Sequence, residues 1–270
     1  MDLPGWLSQA LVSKGKLKLT CLGTGDGRVS ADRGHSSFLY ELEGTRLLVD
    51  CGEPVSRRLK STGMGADDLD GIFLSHLHCD HSGGLFMLMQ GLWLDRRCRA
   101  LTLHLPAEGI EPIQAMLRAA YIFDGLLEFD TTWQPLKVDE VCQVKTVRVT
   151  PHLTSHLHSL RDAFQAQHPQ AFEAFSFVLE AGGLRLGHSA DIGALADLDP
   201  LTTEPLDLLV CEMAHCDPEG LLDYLAGREV KEVAFTHVHQ KHLPRLGEIQ
   251  AMAAGRVNCR FVGDGEVIEL

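Results

Sequence analysis

The chain is short of positive charge. Lysine and arginine number 24 against 37 aspartates and glutamates, a formal net charge of −13 over 270 residues. Holding a phosphate backbone takes clustered Lys and Arg, so an extended polyanion is a poor partner. The one dense basic stretch, Arg96-Arg97-Cys98-Arg99, stands just before an expected strand and reads as a solvated loop rather than a nucleic-acid footprint. No apolar run approaches the roughly 18 residues of a membrane span. Met1-Asp2-Leu3-Pro4-Gly5-Trp6 has neither the basic start nor the apolar stretch of a signal peptide, so a cytoplasmic protein with no membrane partner is expected. Eight cysteines are scattered without a CxxC pair; they read as reduced thiols, not a disulfide framework. Gly23-Thr24-Gly25-Asp26-Gly27 lacks the Lys-Ser/Thr of a phosphate loop and the spacing of a dinucleotide fingerprint. It reads as a tight turn lining a pocket. No repeat recurs at a fixed period.

Hydrophobic residues make up 45% of the chain, enough for one large α/β domain or two small ones. The 14 histidines are many for this length, and several fall at strand ends; three stand in one stretch, Ser75-His76-Leu77-His78-Cys79-Asp80-His81-Ser82-Gly83-Gly84. It follows Gly71-Ile72-Phe73-Leu74, which reads as a buried strand. In an extended segment His76 and His78 project to the same side. Asp80 and His81 fall where the chain turns, and Gly83-Gly84 lets backbone pass close by. One zinc ion is satisfied by three protein ligands and water, so four donors here suit two adjacent ions. Cys79 reads as buried beside the site, or as an odd ligand.

An amphipathic lead precedes Leu17-Lys18-Leu19-Thr20-Cys21-Leu22, which alternates like a strand. Residues 37–42 and 45–50 form a hairpin around Glu43-Gly44. Leu85-Phe86-Met87-Leu88-Met89 opens a buried helix; its apolar side chains would equally suit the pairing of two subunits. Residues 100–105 read as a strand with His104 a core or edge histidine, and Ile110 to Tyr121 as an amphipathic helix. Two or three short strands follow, with a turn at Trp133-Gln134-Pro135. A strand from Val147 ends at Pro151, ahead of His152, His156 and His158. The stretch from Leu160 to Ala174 reads as a lid or as a surface helix. Further strands end at Asp191, Glu212 and His237, with helices over Pro218–Ala226 and Pro244–Ala254.

The string His76 to Gly84 resembles the HxHxDH signature of the metallo-β-lactamase superfamily. "LGTG…SS…LLVDCG" ahead of it is similar to the ribonuclease Z-like branch. The resemblance runs from Leu22 to His237 and implies an α/β fold, an αββα sandwich spanning residues 1–270 as one domain. It also implies two metal sites. One takes His76, His78 and a third His, for which His156 fits best ahead of His152 and His158. The other takes Asp80, His81 and a strand-end His, His237 ahead of His239. Asp191 bridges them, with Ala190 where the family carries Gly. Asp50 is expected to support a ligand imidazole, and His188 to support the site or touch substrate.

Such a site implies a hydrolase with two zinc ions, manganese or iron also fitting the donors. Asp80 would orient the nucleophile and His215 contact the leaving group. A small phosphodiester or cyclic nucleotide is the expected substrate. Structured tRNA is disfavoured, because residues 85–151 leave little room for a tRNA-gripping arm and the family's final "HxSxRY"-like element is absent. Ester, lactone or thioester hydrolysis is the alternative reaction, and a metal-binding module without turnover the alternative class.

Overall fold

The computed structural model describes residues 15–270; the amphipathic lead expected ahead of Leu17 lies, up to Lys14, outside them. The first half runs β1 (Leu17–Gly23), β2 (Ser37–Leu42), β3 (Thr45–Val49), α1 (Val55–Ser61), β4 (Gly71–Phe73), α2 (Cys79–Ser82), α3 (Leu85–Leu94), β5 (Leu101–Leu105), α4 (Ile110–Ala119) and β6 (Thr131–Pro135). The second runs β7 (Cys142–Val144), β8 (Val147–Leu153), α5 (His158–Phe164), β9 (Phe175–Ala181), β10 (Leu184–His188), β11 (Leu208–Met213), α6 (Pro218–Ala226), β12 (Val233–Val238), α7 (Leu246–Ala253) and β13 (Cys259–Phe261). The last strand, β14 (Val267–Glu269), crosses back to the first sheet beside β1.

Two seven-stranded sheets result, ordered β14-β1-β2-β3-β4-β5-β6 and β13-β12-β11-β10-β9-β8-β7. In each, hairpin-joined antiparallel strands give way to parallel ones, from β3 to β6 and from β10 to β13. The expected repetition of hairpins followed by helix-linked strands is therefore present in the topology.

Strand periodicity explains the layers. Phe38, Tyr40 and Leu42 point into a central core, with Phe177, Leu179, Leu208 and Val210 from the other sheet. The intervening Leu39 and Leu48 point outward, where Val55, Leu59, Leu85 and Met89 of α1 and α3 cover them. Val178, Leu209 and Cys211 likewise meet Leu221, Leu222 and Ile249 of α6 and α7. Both faces of each sheet are covered, so its strands are almost continuously apolar. The order of layers is helix, sheet, sheet, helix: an α/β αββα sandwich.

Several local expectations need correction. Trp133-Gln134-Pro135 is the end of β6, not a turn; β6 is the outermost strand of its sheet, where a proline without an N–H is tolerated. Strand β8 continues past Pro151 to Leu153, and residues 240–245 form a 3-10 turn ahead of α7. Cys79 is exposed, because it opens α2 on the solvent side. Helix α5 buries no residue and lies on the surface. In α3, Leu85, Leu88, Met89 and Leu92 are buried while Met87 and Leu94 face solvent. The basic stretch serves the fold: Arg97 is fully buried and donates to the carbonyls of Ala66, Leu69, Arg99 and Ala100. Its neighbours Arg96 and Arg99 pair with Glu128 and Asp70.

His104 is a core histidine. Its ring stacks on Phe73 with centroids 4.3 Å apart, and among the described residues neither ring nitrogen finds a partner. Burial pushes its pKa down to about 4, whereas an unfolded histidine titrates near ~6.5. Below that value the unfolded chain takes up a proton that the folded chain refuses, so stability is lost as pH falls from about 6.5 toward 4. Replacing His104 by Phe keeps the stacking and removes the titration. Between pH 7 and pH 5 the native chain should lose about 1–2 kcal/mol more unfolding free energy than His104→Phe, as read by urea denaturation at both pH values.

Candidate metal centre

The site lies at the carboxyl ends of β3, β4, β8, β10 and β12, the edge of the sandwich where parallel strands open a crevice. Three positions there hold non-glycine residues in the left-handed region: Asp50 at φ 61°, Ala190 at 46° and His237, skipped in the β11–β12 pairing, at 49°. Such conformations store strain of order 1–3 kcal/mol each and persist only where surrounding bonds hold them. At position 190 the missing glycine is tolerated, with alanine in that same strained conformation. Close packing of backbone does the holding. A Cβ at Gly52 would stand 2.3 Å from the Asp80 carbonyl, and one at Gly84 would stand 2.8 Å from the Cys51 carbonyl.

His76, His78, Asp80, His81, His156, Asp191 and His237 all converge there. In the first set, His76 Nε2 lies 3.1 Å from His78 Nδ1, which is 3.3 Å from His156 Nε2. Asp191 Oδ2 is 3.8 Å from His76 Nε2 and 3.5 Å from His156 Nε2. In the second set, His81 Nε2 lies 3.5 Å from Asp80 Oδ2 and 3.3 Å from Asp191 Oδ1. His237 Nε2 is 3.7 Å and 3.4 Å from the same two oxygens. Four donors held at zinc-ligand distances in a tetrahedron are about 3.4 Å apart, so each set has the spacing of a coordination shell. Asp191 contributes one oxygen to each.

The hydrogen bonding supports the same fit. His81 Nε2 and Asp191 Oδ1 are buried and make no hydrogen bond among the described residues, although both point into the second set. Buried polar groups left this way are costly unless a ligand takes them. Asp50 Oδ2 accepts from His81 Nδ1 at 2.7 Å, and Asp50 Oδ1 accepts from Ser75 N at 2.8 Å. Ser75 Oγ donates to Asp50 and lies 3.0 Å from His76 Nδ1. Asp50 and Ser75 therefore leave the Nε2 lone pairs of His81 and His76 facing inward, the support expected of Asp50.

Electrostatics favour neutral donors in the first set. Burial holds the imidazoles of His76 and His78 below their ordinary pKa and takes His156 down to about 4. A metal ligand must be deprotonated, so this is the form required. His81 differs: burial would lower it, but Asp191 and Asp50 outweigh that and hold it well above its usual value. The charges that surround Asp191, His237 foremost, overcome its burial and keep it ionised.

At the rim, His215 is partly exposed, with its ring 4.6 Å from that of His156. Its Nδ1 lies 2.9 Å from Glu212 Oε1 and 3.8 Å from Asp191 Oδ2. Burial lowers its pKa, but the bond to Glu212 and that carboxylate's charge prevail and push it up to about 9. Glu212 also accepts from the N–H groups of Ile192, Ala214 and His215. The family resemblance already implies an acidic residue near the pocket at this strand end; what the sequence does not show is its bond to His215, for which the signal is an acid three residues before a histidine.

The competing histidines lie elsewhere. His152 is held by Asp139 at 2.6 Å, His158 is exposed at the start of α5, and His239 caps the 3-10 turn after β12. His188 is buried, and its Nδ1 meets the Tyr40 hydroxyl at 2.8 Å, a supporting position behind the site. Among the described residues no helix is long and apolar enough to cross a membrane.

Ribonuclease Z of Archaeoglobus fulgidus is 33% identical over 140 residues, covering 52% of this chain and 44% of that protein. The metallo-β-lactamase fold protein YhfI of Bacillus subtilis superposes with a TM-score of 0.72 at 20% identity, over 95% of this chain and all of that one. The short form of human tRNase Z superposes at 0.70 and 18% identity, over 93% and 98%. At such identities the likeness to the two solved structures is one of fold. The expectation against structured tRNA finds no support here, since one neighbour is itself a tRNase Z. Residues 17–206 match the family described as anti-Pycsar protein Apyc1. The chain belongs to that family, in the ribonuclease Z-like branch of the metallo-β-lactamase superfamily.

Proposed function

We propose that the protein is a metal-dependent hydrolase that cleaves a small phosphodiester, a cyclic nucleotide included, at a two-ion centre. The observation that carries the reading is the pair of four-donor sets sharing Asp191, one oxygen to each. Zinc suits donors of this kind, and manganese or iron would also be accepted. Divalent ions held there supply activated water near neutral pH and offset charge on the group under attack.

The chain's own residues do the rest. His76, His81, Asp191 and His237 form a buried floor, while His78, Asp80 and His215 stand nearer the opening. Asp80, on the open side of the second set, accepts a hydrogen bond from the attacking water and orients it. His215, with Nδ1 committed to Glu212, keeps Nε2 for the leaving group. Water's oxygen forms the new P–O bond as the old ester P–O bond breaks, the proton from His215 goes to the departing oxygen, and the proton the water gives up passes to solvent, from which His215 is reprotonated. Glu212 holds the imidazolium in place, its remaining capacity taken by three backbone N–H groups. The relatives named ribonuclease Z support a phosphodiester, and the net charge of −13 weighs toward a small one over an extended polyanion.

Turnover of bis(nitrophenyl) phosphate by zinc- or manganese-loaded protein, lost in Asp80→Ala, is the expected result. Cleavage of matched carboxylic esters or lactones with no cleavage of the diester would instead place the chemistry on carbonyl carbon. A second measurement isolates His215. His215→Ala should lower kcat by about 10²–10⁴ on a diester with an alkoxide leaving group. Nitrophenyl diesters, whose leaving group needs no proton, should be nearly unaffected; an equal loss on both would rule out proton donation.

A further inference from the structure

One side chain outside the ligand sets ties two of their loops together. Asp197 sits in the 3-10 turn Leu195–Leu198, shortly after Asp191. Its Oδ2 accepts from Gly193 N at 2.8 Å and Ala194 N at 3.1 Å, both in the chain leaving Asp191. The same oxygen accepts from Ser155 N at 2.9 Å and Ser155 Oγ at 2.8 Å, in the residue directly before His156. Hydrogen bonds to an ionised carboxylate are about twice as strong as neutral ones, so four converging on one oxygen make a firm joint. Contact between the loops is tight: a Cβ at Gly193 would meet the Ser155 backbone at 2.5 Å.

The topology makes that joint necessary. His156 follows β8 and Asp191 follows β10, but β9 lies between them, so no ladder of hydrogen bonds sets the spacing of the two loops. Asp191 has anchors of its own through β10 and the bond from Ile192 N to Glu212. The His156 loop is held by Thr154 N to Ala174 O, by Thr154 Oγ1 to Asp191 O at 2.9 Å, and by the Ser155 bonds to Asp197; of these, only the Ser155 bonds act on the residue next to His156. Without Asp197 the remaining bonds hold Thr154, and Ser155 with His156 is left free to shift.

We propose that Asp197 is a positioning residue for the first metal set, holding His156 Nε2 at its 3.5 Å distance from Asp191 Oδ2. The inference rests on the two-ion reading above. It separates the two sets: Asp80, His81 and His237 have no bond to Asp197, so removing that carboxylate weakens one ion's site and spares the other.

The test is metal titration of the full chain, with zinc against a chromophoric chelator and with cobalt(II) read by its visible absorption. Asp197→Ala should keep one equivalent at native affinity and weaken the other about 10- to 100-fold, with altered cobalt bands for that equivalent alone. Ser155→Ala, which deletes one of the four donors, should give a smaller loss in the same equivalent, and it decides the matter if Asp197→Ala does not fold. Native affinity for both equivalents in a folded variant, or parallel loss of both, overturns the inference while leaving the two-ion reading intact. A native chain that takes up fewer than two equivalents overturns that reading, and this inference with it.

Discussion

Asp191 is the point on which the site depends. Its carboxylate is buried, ionised, and divided between two groups of donors, with the imidazoles of His76 and His156 toward one oxygen and those of His81 and His237 toward the other. A buried carboxylate is unfavourable unless positive charge or hydrogen-bond donors surround it. Here the surroundings are imidazoles, two of which, His76 and His81, have their other nitrogen held by Ser75 and Asp50. A cation on each side would satisfy the carboxylate and the lone pairs together, so the ligand cluster is organised around charge balance as much as around catalysis.

The sandwich supplies the geometry. Each sheet passes from hairpins to parallel strands, and the carboxyl ends of β4, β10 and β12 emerge on one edge. The donors come from four separate chain segments, so they depend on the register of two sheets packed through a common core. Loops alone would not hold such spacing. The strained φ values at Asp50, Ala190 and His237 fall at or beside these segments, where backbone contacts such as Gly52 on Asp80 leave little freedom.

Much of this was legible in the chain before folding was considered. His76, His78, Asp80 and His81 lie within six residues of one another, so their directions follow from one strand end and one turn. The hairpin of residues 37–50 was readable around Glu43-Gly44, and the strand ends at Asp191 and His237 marked further elements. Local reading failed where a residue's role is set by a distant partner. Trp133-Gln134-Pro135 has turn composition, yet its place on the sheet margin makes it strand. Arg97 has the composition of a surface patch, yet four carbonyls draw it inside.

By itself the sequence determined the central motif and most of the strands and helices, because periodicity and short spacings are properties of the local backbone; the sandwich and the order of the ligand-bearing elements followed from the family resemblance which that motif carries. Only the tertiary structure decided which of His152, His156 and His158 joins the cluster, why His237 rather than His239 does so, and that Glu212 and Asp197 brace the rim and the loops. Those choices depend on distances of about 3 Å between residues tens of positions apart. Sheet register and loop hydrogen bonds set such distances, and they exist only once both sheets are packed.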